Sequence, residues 1–214
     1  MSRTLSTLEP LVASLQFAEE GRLLKTFRAA HDRVWTLDRE ILALAVENTN
    51  LKAQRLSFGP AYEAANTVGA ALDAIVASIV GVDAARARSL ASTVLLKVRE
   101  LEVLEGPHIA EADDAAMTKL ERRMTTLQSE ARQVLDELAN MSAAGRAADV
   151  EPARTALVGF LNVHDEILKL SRRNSDVRSL ALSLGEKRTL TAVCEENLDE
   201  LRQRLMERTF PARR

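Results

Sequence analysis

One segment of the chain occurs twice, 126 residues apart, and the two copies align without a gap. Residues 39–59 correspond to residues 165–185. The identical pairs are Glu40/Glu166, Ile41/Ile167, Leu42/Leu168, Leu44/Leu170, Asn48/Asn174, Leu56/Leu182, Ser57/Ser183 and Gly59/Gly185. Because the spacing is a whole number of heptads, both copies have the same phase in a seven-residue pattern. The repeat therefore predicts a helical protein with an internal duplication.

Apolar residues recur at alternating steps of three and four, which places them on one face of a helix. Such stripes run through residues 27–44, 65–79, 117–141 and 153–170. Aromatic residues make up 3% of the chain, which has only 8 glycines and 5 prolines, and this composition favours packed helices over sheets. We therefore expect an all-α fold with four helices around one seam.

Three breaks separate the predicted helices. Gly59 and Gly106 each precede a proline, and glycine ends helices while proline suits the first turn of the next helix. The third break surrounds Gly145, with Asp149 as the cap of the last helix. The predicted helices span about 5–57, 60–104, 108–143 and 150–208. Short connections make neighbours antiparallel, so we expect one elongated up-down-up-down four-helix bundle, a single domain over residues 1–214.

Glycines and asparagines interrupt the pattern inside the long predicted helices. Gly81 and Gly185 predict a bend or a break, because glycine weakens a helix interior. Asn48 and Asn174 allow two interpretations, since short polar side chains favour caps and turns, whereas a buried asparagine in a helix seam fixes register. The preserved heptad phase favours buried polar layers within continuous helices. On that interpretation, Asn174→Leu is expected to raise stability.

Two histidines allow an interpretation as phosphotransfer sites. His31 and His164 are each followed by aspartate, and each lies four residues after a phenylalanine. A histidine phosphotransfer module is therefore one alternative, since such modules carry an accessible histidine on a helical bundle. Neither histidine is followed by the Arg-Thr-Pro or Arg-Asn-Pro element typical of sensor kinases. A pair of surface histidines beside the helix seam is the favoured interpretation.

The sequence gives little support to enzymatic chemistry. Di-metal centres in helical bundles need two Glu-x-x-His elements and further carboxylates. This chain has one such element, from Glu105 to His108, and its Gly-Pro centre predicts a turn. It also lacks a glycine-rich phosphate loop, a nucleophile motif and a cysteine pair for zinc. We therefore expect a protein that is not an enzyme and that holds no metal or cofactor.

Basic residues offer one candidate ligand site. Arg172, Arg173 and Arg178 belong to a run of cationic residues, and guanidinium groups bind carboxylates or phosphates through paired hydrogen bonds. A small anionic ligand is one interpretation, and a solvated helix face with interspersed acidic residues is the other. The formal net charge of −2 does not indicate binding to nucleic acid.

One stretch carries a resemblance to a known family. Residues Leu168–Arg188, with their counterpart around Glu47–Ala53, resemble the four-helix-bundle sensor region of bacterial methyl-accepting chemotaxis proteins. The resemblance implies a signal-transducing bundle, often a homodimer, that binds a small ligand or a signalling protein and responds by shifts between its helices. The alternative is a cytoplasmic structural or scaffold protein that acts through helix–helix association.

The predicted location depends on whether the chain is complete. The longest apolar run, residues 70–82, contains Asp73 and is too short to span a membrane. The sequence does not begin with a positively charged segment followed by an apolar run, so it does not predict a signal peptide. A complete chain is expected to be cytoplasmic, whereas a sensor domain excised from a receptor is expected to be periplasmic.

Overall fold

In a computed structural model of the protein, residues 2–141 and 147–209 are described, and no strand occurs among them. This confirms the all-α fold class. The α-helices are α1 (Ser2–Ser14), α2 (Ala18–Glu47), α3 (Thr49–Leu56), α4 (Tyr62–Ser78), α5 (Ala84–Ala110), α6 (Asp114–Met141), α7 (Ala147–Arg173), α8 (Ser175–Leu182) and α9 (Arg188–Thr209). The other helical turns are the π turns Ser57–Ala61 and Ser183–Lys187 and the 3₁₀ turn Gly81–Asp83.

Both helix ends predicted from Gly-Pro pairs are wrong. Gly59 and Pro60 lie in a π-helical turn that joins α3 to α4 without a break. Proline lacks an N–H and so removes one hydrogen bond from a helix, and at Pro60 the backbone continues through a π turn. Gly106 and Pro107 lie inside α5, which continues beyond them. A Gly-Pro pair therefore does not end a helix in either place.

The helices break instead at left-handed residues. Asn48 and Asn174 have φ angles of 48° and 49°, and each separates two helices, so the continuous helices predicted through them are wrong. Gly81 has a φ of 82° and lies between α4 and α5, which confirms the predicted break there. The predicted break at Gly145 lies outside the described residues, as does the side chain of Asp149.

The repeated sequence produces a repeated backbone. In both copies a left-handed asparagine, Asn48 or Asn174, is followed at the same distance by a π turn, Ser57–Ala61 or Ser183–Lys187. The second π turn forms although Glu186 stands where the first copy has proline. The π turn is thus a property of the shared sequence, and it does not depend on proline.

Contacts between residues divide the chain into two compact units. The first unit combines Met1–Glu47 with Asp176–Arg214, and the second is Asn48–Ser175. Each boundary falls beside a left-handed asparagine. The assignment of residues 1–214 to a single domain stays a prediction. Within the described ranges, no helix has the combined length and apolarity that a membrane crossing requires.

In the first unit, α2 packs against α9, and α1 packs against α2. The apolar side chains at the centre of this packing are Leu5, Val12, Leu23, Leu24, Phe27 and Leu201. Among the described side chains of α1, only Leu5 and Val12 belong to this core. The short helix α1 is therefore held by few apolar contacts.

In the second unit, α5 packs against α6, α4 and α7, and α7 also packs against α3, α4 and α6. The largest buried apolar side chains here are Leu72, Ile75, Leu101, Ile109, Met117, Met124, Leu127, Leu138 and Phe160. This core surrounds several buried polar groups. Buried polar groups cost free energy unless they are hydrogen-bonded.

Candidate functional site

The two copies of the repeat meet in a buried polar layer of the second unit. We call Thr49, Asn50, Asn174 and Ser175 the kink layer, because these residues lie at the two helix breaks; each is at most 9% exposed. The Thr49 N–H donates to Ser175 Oγ at 2.9 Å, and the Ser175 N–H donates to Thr49 Oγ1 at 3.0 Å. Each hydroxyl thereby satisfies a first-turn amide that has no partner within its own helix.

The asparagine amides of the kink layer cap the end of α5. Asn50 Nδ2 donates to the Ile109 carbonyl oxygen at 2.9 Å and to Asn174 Oδ1 at 2.8 Å. Asn174 Nδ2 donates to the Glu111 carbonyl oxygen at 2.9 Å. The last carbonyls of a helix lack intrahelical partners, so these bonds satisfy groups that would otherwise be buried unpaired.

The two interpretations of the asparagines therefore combine at Asn174, which is a left-handed turn and also a member of a buried layer. Asn48 is a left-handed turn whose side chain makes no capping hydrogen bond, and it lies outside the kink layer. Sequence reasoning missed Thr49 and Ser175, although a hydroxyl residue directly follows the asparagine in both copies. That repeated pair was the available signal.

A second polar cluster lies deeper in the same unit. His164 Nδ1 and Glu105 Oε1 are 2.8 Å apart, and both side chains are fully buried. Ser57, in the first π turn, donates to Glu105 Oε2 at 2.6 Å. The other ring nitrogen of His164, Nε2, is buried and has no partner among the described residues. The prediction that His164 is a surface histidine is thus wrong, because its ring packs against Phe160 inside the unit.

The order of this cluster does not suit nucleophilic catalysis. A serine nucleophile needs the histidine as its hydrogen-bonded base, with the carboxylate behind the histidine. Here the carboxyl group of Glu105 lies between Ser57 and His164, so the imidazole does not contact the hydroxyl. The arrangement gives the buried carboxyl group two partners and does not activate the serine.

His108 forms the centre of a third cluster. Its Nδ1 lies 2.8 Å from Ser171 Oγ, and its Nε2 lies 3.0 Å from Glu121 Oε1. Burial lowers the pKa of His108, and the hydrogen bond to Glu121 opposes that shift without reversing it. The Ser171 hydroxyl donates to the backbone carbonyl oxygen of His108 at 2.8 Å, so its single hydrogen is already used and its oxygen is the atom that faces Nδ1.

The structure corrects the predicted turn at the Glu-x-x-His element. Glu105 and His108 both lie on the buried face of α5, and each has its own partner on another helix. Among the described residues, no group of three or more histidine, cysteine or acidic side chains could hold a metal ion.

The three predicted arginines occupy different environments. Arg172 donates from Nε and Nη2 to the two carboxylate oxygens of Glu121 at 2.5 and 2.8 Å. These bonds lower the pKa of Glu121 and raise that of Arg172. Arg173 is exposed in the same unit, and Arg178 is exposed in the other unit. Because Arg172 already holds a carboxylate, an anionic ligand would have to displace Glu121 to use it.

His31, in the first unit, offers little to a phosphotransfer partner. Its side chain is 15% exposed, and Trp35 Nε1 donates to its Nε2 at 3.1 Å. Its ring also packs against Phe27, with the centroids 5.6 Å apart. An incoming phosphoryl group would therefore have to displace the indole at Nε2. His164, which is fully buried, is still less accessible.

A cavity of about 720 Å³, which is widely open to solvent, lies between α1 and α2 in the first unit. This volume is within the range typical of small-molecule sites. Apolar residues form most of its wall, and charged or amide side chains form its rim. The wall residues are Val12, Ala13, Phe17, Ala18, Gly21 and Leu24, and the rim residues are Glu9, Gln16, Lys25 and Arg28.

Arg208 holds Phe17, a residue of the cavity wall, in position. The guanidinium of Arg208 lies over the ring of Phe17, 4.2 Å from its centroid. Arg208 also donates from Nη2 to Glu20 Oε2 at 3.3 Å, and the hydrogen bond from Arg208 holds the pKa of Glu20 below its ordinary value. The cation–π contact with Arg208 thus holds the ring of Phe17 in position.

Comparison with known proteins identifies no relative. No protein-family model, no curated protein and no solved structure matches the chain. The candidate sites of this chain are the kink layer, the two buried histidine clusters and the cavity. Of these, only the cavity combines room for a ligand with an accessible rim.

The lowered pKa of His108 predicts a loss of stability in mild acid. The unfolded chain takes up this proton near pH 6.5 and the folded chain only at lower pH, so stability is complete above pH 6.5 and falls below it. One proton changes the free energy of unfolding by at most about 1.4 kcal/mol per pH unit. Urea unfolding should therefore show a lower free energy of unfolding at pH 5.5 than at pH 7.5.

The His108→Gln variant supplies the test of that assignment, since it removes the titrating group. Its stability should change less between the two pH values than that of the wild type. An equal loss in His108→Gln would mean that another group is responsible.

Proposed function

We propose that this chain is a non-enzymatic helical sensor that binds a small amphipathic molecule in the cavity between α1 and α2. The cavity carries the proposal, because it joins an apolar wall to a charged rim and is of suitable size. The buried histidine clusters support the absence of enzymatic activity, since Ser57 is bound to Glu105, and His108 is bound to Ser171 and Glu121. The resemblance to chemoreceptor sensor regions, and the antiparallel four-helix bundle that it implies, stay part of this proposal.

The weak attachment of α1 explains how such a protein could respond to its ligand. Only Leu5 and Val12, among the described side chains of α1, reach the apolar core, and Glu9 pairs with Arg28 at the rim. A ligand in the cavity would contact α1 and α2 together and add apolar contacts between them. Binding would then favour the docked position of α1, which is a shift between two states of the kind that sensors use.

A neutral fluorescent probe tests whether the cavity binds apolar molecules. N-phenylnaphthylamine should bind the wild type saturably at one site, with a rise in fluorescence. Ala13→Trp places a large side chain in the cavity wall and should weaken binding about tenfold or more. Ala29→Trp is the matched control, because Ala29 is also an exposed helical alanine but does not line the cavity.

The outcome separates the proposal from nonspecific binding. Loss of binding in Ala13→Trp alone, together with slower amide hydrogen exchange in α1 when the probe is bound, supports the sensor. No saturable binding to the wild type, or equal binding by both variants, contradicts it.

Helix association is the second candidate, and one observation favours it. Leu8, Leu11 and Leu15 are 36, 52 and 57% exposed, and their spacing places them on one face of the amino-terminal segment. Such a stripe suits pairing with another helix, including one from a second copy in a homodimer. A strict monomer by light scattering, with no copurifying partner, would count against this candidate.

A further inference from the structure

We infer that the cavity between α1 and α2 takes a monoanionic carboxylate that carries an apolar chain, with Lys25 binding the carboxylate. This inference rests on the proposed function and names the class of its ligand. Val12, Phe17 and Leu24 line the part of the cavity that receives the chain, and Lys25 stands at the rim. The combination matches a molecule with one apolar end and one charged end.

The wall favours an alkyl chain over a polar molecule. Its side chains are aliphatic or aromatic and offer no hydrogen bond, so a polar ligand would lose its water partners there without replacement. Arg208 already holds the ring of Phe17 through their cation–π contact, so the position of the ring is set before a ligand binds. Each methylene buried against such a wall strengthens binding about fourfold.

The rim favours a single negative charge. Arg28 is already neutralised by Glu9, since Nη1 donates to both carboxylate oxygens at 2.8 and 2.6 Å. Lys25 is exposed and makes no hydrogen bond or ion pair with any described residue. A carboxylate would gain this ammonium group, and Gln16 could supply a second donor from the same rim.

The same rim disfavours the other charge classes. A phosphate monoester or a dicarboxylate brings a second negative charge that would meet Glu9 without a second free cation among the described lining residues. An alkylammonium would be repelled by Lys25, and the carboxylate of Glu9 that could bind it is already paired with Arg28. Charge complementarity therefore selects the monocarboxylate.

Displacement of bound N-phenylnaphthylamine by three twelve-carbon probes tests this inference. Dodecanoate, dodecanol and dodecylamine share the chain and differ in the charge of the head group, and all are used below the concentration at which they aggregate. We expect dodecanoate to bind the wild type most tightly. Shortening the acid to decanoate should weaken binding about fifteenfold, because two buried methylenes are lost.

The Lys25→Met variant isolates the head-group contact. It should weaken dodecanoate about five- to tenfold and leave dodecanol unchanged, and Lys25→Arg should restore most of the loss. Lys52→Met, at an exposed lysine of the other unit, is the matched control and should bind all probes as the wild type does.

The outcomes distinguish the ligand class from the function. If dodecanol or dodecylamine binds at least as tightly as dodecanoate, or if Lys25→Met binds dodecanoate normally, the carboxylate assignment is overturned while cavity binding stands. If neither the fluorescent probe nor any of the three amphiphiles binds, the proposed function itself fails.

Discussion

Replacing His164 with leucine should lower the free energy of unfolding of the second unit by about 3–5 kcal/mol. His164 is fully buried and forms a 2.8 Å hydrogen bond with Glu105, which is also fully buried. Removing the imidazole leaves that carboxyl group with Ser57 as its one remaining described partner. Breaking a buried pair on one side is costly, because the other group keeps its desolvation penalty and loses its compensation.

Removing both partners should cost far less than removing one. In Glu105→Leu/His164→Leu no buried carboxyl group is left unpaired, and leucine fills much of the vacated space, so stability should lie within about 2 kcal/mol of the wild type. Native-state hydrogen exchange in α5 and α7 measures the free energy of unfolding of the single and the double variant within the second unit. The control is His31→Leu, which alters a histidine that packs on a phenylalanine at similar distance but pairs with no buried carboxyl group. A cost below about 1 kcal/mol for His164→Leu would contradict the proposed energetics of the cluster.

Asn174→Leu should destabilise the second unit by about 3 kcal/mol. Leucine is strained in the left-handed conformation that Asn174 adopts, and it cannot donate to the Glu111 carbonyl or accept from Asn50. Asn48→Leu should cost only about 1 kcal/mol, because Asn48 has the same conformation but no capping hydrogen bond from its side chain.

The difference between the two variants isolates the side-chain bonds of the kink layer. Hydrogen exchange at the end of α5 should quicken in Asn174→Leu and stay near the wild-type rate in Asn48→Leu. Equal costs for the two substitutions, or a gain in stability for Asn174→Leu, would mean that the amide bonds contribute nothing. The gain is the result that the heptad pattern alone predicts.

The all-α fold and the duplication could be predicted, since apolar periodicity and self-similarity are direct sequence signals. Apart from the break at Gly81, the helix ends could not, because a Gly-Pro pair indicates a break only if the chain has no other way to accommodate the proline. At Pro60 a π turn provides that way. The breaks at Asn48 and Asn174 leave the heptad phase intact, so periodicity did not reveal them.

The sequence contains more signals for the buried polar clusters than for the cavity. Glu105 and His108 continue the buried stripe of α5 at steps of four and three, after Val98 and Leu101. The Gly-Pro between them concealed that continuation. The cavity depends on how α1 turns back onto α2, through a left-handed Gln16 with a φ of 55°, and no glycine or asparagine marks that position.

A crystal structure of the chain grown with dodecanoate tests the ligand-binding proposal most directly. We expect the alkyl chain between α1 and α2, in contact with Phe17 and Leu24, and the carboxylate within hydrogen-bond distance of Lys25 Nζ. Dodecanoate bound only elsewhere, or absent from this cavity at a saturating concentration, would contradict the proposal.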